Sequence, residues 1–284
     1  MEAKRIGVGE EPQEMSFIDH LEALRWHVIR AAASIVVFGL AAFFSKDFIF
    51  HDIILAPSRP DFWSYRMWCK LGELVHAPEI CIDKINFVLQ SREMSSQFTT
   101  HMSVSFTIGL VLAFPYAFWE LWRFIKPGLY PNERKNSRGA VFFVSLLFII
   151  GLLFGYFGAA PLSMNFLASY QVDPSIANEF DLNSYISTLT TMVFACALMF
   201  ELPMVIFFLA KAGLISSEFL AIFRRHAIVV IMIVSAVVTP PDVMSMSLFA
   251  IPLYLLYELS IVIAKNVRKR DIERLNKNLT RNEA

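Results

Sequence analysis

Six apolar runs dominate this chain, covering roughly 28–44, 98–119, 140–161, 185–209, 227–238 and 243–264. A helix rises about 1.5 Å per residue, so about 20 residues cross the ~30 Å hydrocarbon layer of a bilayer. In lipid, backbone polar groups must be satisfied internally, so only helices and closed barrels span it. Runs this long, without the period-two alternation of strands, are helices. The chain therefore reads as an all-α membrane protein with six transmembrane helices. The last two are short: the fifth run has about a dozen residues and reaches roughly 18 Å, and Ser245 and Ser247 shorten the sixth. Of 284 residues, 56% are hydrophobic and 18% charged, against about half and a quarter in soluble domains. The formal net charge is zero, so no global field points to nucleic acid.

The placement of cations orients the chain. Of the 25 Lys and Arg residues, only Lys46, Arg59, Arg66, Lys70, Lys84 and Arg92 fall on one side, all in the loop 46–97. The second loop on that side carries Asp173, Glu179 and Asp181 but no Lys or Arg. The remaining cations lie on the other side, with both termini. That side is expected to be cytoplasmic. No cleavable signal peptide is expected, because a structured polar segment precedes the first run. No internal repeat is visible, which weakens an inverted-repeat transporter.

Residues 1–15 are polar and expected to be disordered. Ser16 and Asp19 form an S-x-x-D capping pattern at the start of an amphipathic helix. Phe17, Leu21, Leu24 and Val28 share one face of it; Asp19, Glu22 and Trp26 lie opposite. It either anchors the first span at the interface or adds acid to a cytoplasmic groove. On the outer side, Phe62, Trp63, Tyr65 and Trp68 suit a cap at the membrane interface. A Cys69–Cys81 bridge there would close a short loop and stabilise it by about 3 kcal/mol. Two unpaired thiols are the alternative, and a metal site with His76 fits no standard spacing. Cys196, inside the fourth span, reads as inert packing.

The longest polar connection on the cytoplasmic side is FIKPGLYPNERK, residues 124–135. Pro127, Gly128 and Pro131 shape it, Phe124 and Tyr130 flank it, and Glu133 stands among Lys126, Arg134 and Lys135. Glu133 could simply sit in the first turn of the third span, worth about 0.3–1 kcal/mol to the helix dipole. That does not explain the proline framework, and a rigid surface for a cationic ligand does. Glu201, followed by Pro203, lies in an apolar span, where a carboxylate costs about 2.5–3.5 kcal/mol. It is either bonded within the bundle or lines a wet face or partner contact. Thr239-Pro240-Pro241-Asp242 follows the short fifth span, and Asp242 also suits the cap of the sixth helix. There is no G-x-S-x-G, H-E-x-x-H, Walker or G-x-G-x-x-G pattern. An enzyme is the weaker class, which leaves a binding scaffold or a proton-coupled solute transporter using Glu201.

Several short motifs, in order, resemble the twin-arginine translocase C-subunit family, TatC. They are H-L-x-x-L-R (His20, Leu21, Leu24, Arg25), F-I-x-P-x-L-Y-x-x-E-R (Phe124 to Arg134), F-E-x-P (Phe200 to Pro203), T-P-P-D (Thr239 to Asp242) and A-I-P-x-x-x-L-Y-E (Ala250 to Glu258). The resemblance covers 16–266 and implies a cupped, glove-like bundle, with 120–139 as its first cytoplasmic loop and a basic tail at 267–284. It implies a receptor in the bacterial inner membrane for paired-arginine signal peptides on folded cargo. It also implies recruitment of single-span TatA and TatB partners, export driven by the proton-motive force, self-association in the active complex, and no cofactor. The signal-binding carboxylate of the loop falls on Glu133, within a surface including Leu21, Glu22, Arg25, Phe124, Pro127, Tyr130 and Arg134. The family's second acid falls on Ala23, and this chain offers Glu22 instead, about 100° away around the helix. Partner contacts fall on Glu201, Pro203, Thr239, Asp242 and Met246. Met246 stands where the family often has Gln, with Ser245 and Ser247 beside it.

Two adjacent arginines are planar bidentate donors that lysines cannot copy. Each bond to a carboxylate contributes about 1.5–3 kcal/mol if partly desolvated and less than about 1 if exposed. Such a site is weak alone, and the signal's apolar segment must supply much of the affinity.

Overall fold

The structure is a computed structural model, described here for residues 17–76, 81, 88–126, 139–173, 175–176, 178–239 and 243–282. The amphipathic segment and the first apolar run form one helix, α1 (Phe17–Phe44). No proline interrupts it, so the chain enters the bundle without a hinge. A helical turn segment at 45–58, made of a short α stretch, a π stretch (Ile49–Ile54) and a 3-10 turn (Ala56–Ser58), leads to the cap helix α2 (Trp63–Val75). Next come strand β1 (Val88–Gln90) and helix α3 (Ser96–Ile125), which holds Pro115 in its interior. Helices α4 (Ala140–Phe154) and α5 (Ala160–Ser169) are joined by a π-helical stretch, Gly155–Ala159. Strand β2 (Glu179–Asp181) precedes α6 (Leu182–Met199) and α7 (Leu202–Lys211). The short α8 (Ser217–Ile222), α9 (Arg224–Val238) and the long α10 (Val243–Asn282) complete the chain.

Among the described residues, five helical stretches are long and apolar enough to cross a membrane: Glu22–Phe44, Ser96–Ile125, Ala140–Ser169, Leu182–Lys211 and Ser245–Lys269. The remaining expected span, the fifth run, is α9. Its 15 residues reach about 22 Å, short of the ~30 Å layer. Helix α10 does not stop at the end of its apolar part. It continues through the basic segment, so 267–282 is helical.

Small residues set the helix contacts, as expected where lipid supplies no hydrophobic drive between helices. Helices α1 and α3 run antiparallel in backbone contact: a Cβ on Gly109 would lie 2.6 Å from the Gly39 nitrogen. Gly151 and Gly155 do the same for α4 and α6. A Cβ there would lie 2.8 Å from the Cys196 carbonyl oxygen and 2.9 Å from the Val193 Cα. Phe148 is buried and stacks on Phe114 at 3.7 Å between ring centroids.

The cap is tied to the bundle by hydrogen bonds to stray carbonyls. Pro161 has no N–H to give to the carbonyl of Phe157. Ser64 Oγ and Trp68 Nε1 donate to that oxygen instead, the latter at 3.3 Å. Tyr65, Tyr156 and Tyr185 donate to the carbonyls of Pro57, Ile53 and Ile54, which pins the 45–58 turn. Burial holds the Tyr65 hydroxyl well above the ordinary phenol value. A disulfide joins Cys69 and Cys81. Strands β1 and β2 pair in parallel, Leu89 opposite Phe180, joining the two cap-side loops. Asp181 then caps α6 by accepting from the Asn183 N–H at 3.0 Å.

Candidate functional site

The end of the bundle opposite the cap is basic. Arg25, Arg30, Arg123, Lys126, Lys211, Arg224, Lys265 and Arg268 lie on helices that finish there. Helix α1 carries Leu21, Glu22 and Arg25 in its first turns, with Glu22 and Arg25 exposed. Phe124 stands half-buried in the last turn of α3. The structure therefore brings one edge of the expected recognition surface, the start of α1, beside the end of α3. Pro127, Tyr130, Glu133 and Arg134 fall within 127–138, outside the described residues.

Sequence reasoning missed the acid at the centre of this end. Glu120, on α3, is 1% exposed and gathers donors from two helices. His27 Nδ1 lies 2.5 Å from Oε2, and Arg30 Nη2 lies 3.2 Å from the same oxygen. Tyr116 donates to Oε1 at 3.2 Å, and an Arg123 Nη approaches it to 3.7 Å. An ionised carboxylate can only accept, and Arg30 Nη2 also lies 3.0 Å from the same His27 nitrogen. Phe124 lies 6.1 Å from the His27 ring, and the Arg123 guanidinium lies 4.9 Å from the Trp119 ring centre. The local clue was a carboxylate with Tyr at i−4 and Arg at i+3, which can share a helix face. The partners on α1 are about ninety residues away and left no local trace.

A second cluster fastens the far side of the basic end. Arg224 makes a two-pronged pair with Glu258, at 2.9 Å on each oxygen. Tyr254 donates to Glu258 at 3.1 Å, and Tyr257 donates to the carbonyl of Leu220 at 2.8 Å. Arg268 pairs with Glu218. The Glu218 carboxyl is held below its ordinary value, first by its own backbone N–H and then by Arg268. These contacts bind α8 and α9 to α10.

The expected partner-contact residues lie elsewhere. The helix breaks between α6 and α7 at Phe200–Glu201, where Pro203 cannot donate to the carbonyl of Met199. Glu201 sits at this break, 9% exposed, and its Oε1 has no hydrogen-bond partner among the described residues. Pro203 beside it is buried. Thr239, at the end of α9, is buried and donates to the carbonyl of Ser235 at 2.8 Å. Met246 is half-buried in the first turns of α10. Asp242 lies outside the described residues. Glu201 and Thr239 thus lie at the α6–α7 break and the end of α9, whereas Glu22 lies in the first turns of α1. Among the described residues, no cluster of His, Cys, Asp and Glu could hold a metal ion.

Comparison with known proteins gives a family and a fold. The family model described as "Sec-independent protein translocase protein (TatC)" matches residues 19–252. The TatC of Blattabacterium sp. subsp. Periplaneta americana is 37% identical over 262 residues, covering 92% of this chain and 98% of the relative. The TatC of Helicobacter pylori strain 26695 is 45% identical over 166 residues, covering 58% of this chain and 65% of the relative. A crystal structure of the twin-arginine translocase receptor TatC is 29% identical, with a TM-score of 0.63, covering 88% of this chain and 99% of that one. A second crystal structure of that receptor, in DDM, gives a TM-score of 0.67 at 29% identity and covers 86% and 99%.

Proposed function

This chain belongs to the TatC family of Sec-independent protein translocase proteins, and from that premise we propose that it is the signal-peptide receptor of its translocase. As a family member it is a membrane component of a protein-transport complex, not an enzyme. On our reading the basic end faces the cytoplasm of a bacterium, with both termini there. Glu133 and Glu22 each take one guanidinium of a twin-arginine signal peptide on folded cargo, and the peptide's apolar segment adds the rest of the affinity.

The observation that carries this reading is the exposed Glu22 and Arg25 on α1 beside the end of α3, which leads into the Pro-shaped E-R loop. Loss of one charge-assisted bond of about 1.5–3 kcal/mol lowers affinity about 10- to 100-fold. Crosslinking of a twin-arginine signal peptide to the full-length protein tests it. Glu133→Ala is expected to abolish the crosslink, and Glu22→Ala to weaken it less. An undiminished crosslink and normal export in Glu133→Ala would refute it. Recruitment of TatA- and TatB-type single-span partners is the second part of the proposal. Glu201, buried without a partner for Oε1, supports a contact with a polar group of such a helix.

A further inference from the structure

A receptor for two guanidinium groups must manage its own. Arg25, Arg30, Arg123 and Lys126 stand together at the basic ends of α1 and α3, and Arg134, Lys135 and Arg138 follow in the loop. Charges within a Debye length of about 8 Å act on one another strongly, so this crowd repels a dicationic ligand. An arginine tethered to the same chain also competes at high effective concentration for any nearby carboxylate. Arg30 lies eight residues from Glu22 on α1, about 12 Å along the axis, within range of two extended side chains. Arg123 precedes Glu133 by ten residues.

Glu120 answers this problem. It is buried, and the Tyr116 hydroxyl and the His27 ring already lie within hydrogen-bond distance of it. Yet it also draws in Arg30 from α1 and Arg123 from α3. Those two side chains are 43% and 51% exposed; Glu120 draws them inward, with the His27 ring beside Arg30 and the Trp119 ring beside Arg123. We infer that Glu120 is a positioning residue that holds Arg30 and Arg123 out of the signal-binding surface, an inference that rests on the signal-peptide reading above. It subtracts charge from the basic end and leaves Glu22 open to the arginines of the cargo.

The test measures the affinity of a fluorescent twin-arginine signal peptide, and of its Lys-Lys counterpart, for the full-length protein in nanodiscs. The unaltered chain prefers the twin-arginine peptide. Glu120→Gln weakens that binding about tenfold. Adding Arg30→Gln and Arg123→Gln to Glu120→Gln restores it to within about twofold, because the competing guanidinium groups are gone. Binding unchanged in Glu120→Gln overturns the inference. So does a weakened Glu120→Gln that the two arginine replacements fail to rescue, since Glu120 would then act only by holding α1 on α3. If Glu120→Gln does not fold, Arg30→Gln with Arg123→Gln in the otherwise unaltered chain decides: retained or tighter binding supports the inference, and a tenfold loss overturns it. Equal affinity of the unaltered chain for both peptides removes the signal-peptide reading itself. Loss of binding in Glu133→Ala with none in Glu120→Gln removes this inference alone.

Discussion

Replacing Gly109 with Ala tests how the first two spans are held together. The new Cβ would lie 2.6 Å from the Gly39 nitrogen, 2.7 Å from the Gly39 Cα and 2.8 Å from the Ile35 carbonyl oxygen. All three are backbone atoms, so no side-chain rotation relieves the clash. Ordinary contact needs roughly 3.5 Å or more, so α1 and α3 must part by about 1 Å along this seam. Overpacking of this kind costs about 1–3 kcal/mol. For a chain of this size that is a fall of about 2–10 °C in the unfolding midpoint. The control is the partner glycine. A Cβ on Gly39 meets only the Ser105 carbonyl oxygen, at 3.5 Å, so Gly39→Ala is expected to be near neutral. Thermal unfolding of the two purified variants in one detergent compares them directly. Equal midpoints, or a larger loss from Gly39→Ala, would refute the reasoning, because the two glycines face each other and differ only in where a methyl group would point.

Two further outcomes are expected. Ser64→Ala with Trp68→Phe leaves the Phe157 carbonyl without its replacement donors. The pair is expected to destabilise the cap by about 1–3 kcal/mol, measured as faster proteolysis of the 46–97 segment; cleavage at the unaltered rate would count against it. Glu201→Ala is expected to keep twin-arginine peptide crosslinking while lowering copurification of a single-span partner, and loss of peptide crosslinking instead would move Glu201 to the recognition step.

Much of the architecture could be read from the residues because the bilayer imposes one length. The apolar runs at 98–119, 140–161 and 185–209 lie within α3, within α4 to α5, and within α6 to α7. Other features depend on contacts that sequence spacing does not carry. Strands β1 and β2 are three residues each and pair across about ninety residues, too short for a periodic signal. Pro203 announced a lost hydrogen bond, but not that the helix would break two residues before it and expose the Glu201 backbone to a turn. Glu258 stood out as the end of the A-I-P-x-x-x-L-Y-E motif, and its partner Arg224 lies thirty-four residues before it. Glu120 was the chief omission. It sits among aromatics in W-E-L-W, and its importance comes from His27 and Arg30, which reach it only once α1 lies against α3.

The proline at 161 bears on how the protein is made. The acceptor that α2 needs, the Phe157 carbonyl, lies about ninety residues further along the chain. Helix α2 is synthesised before that acceptor, so these hydrogen bonds wait for 140–169 to pack beside the cap. Long-range closure of this kind is slow and comes late. The cap is therefore expected to become compact and protease-resistant only after the third apolar segment has packed beside it.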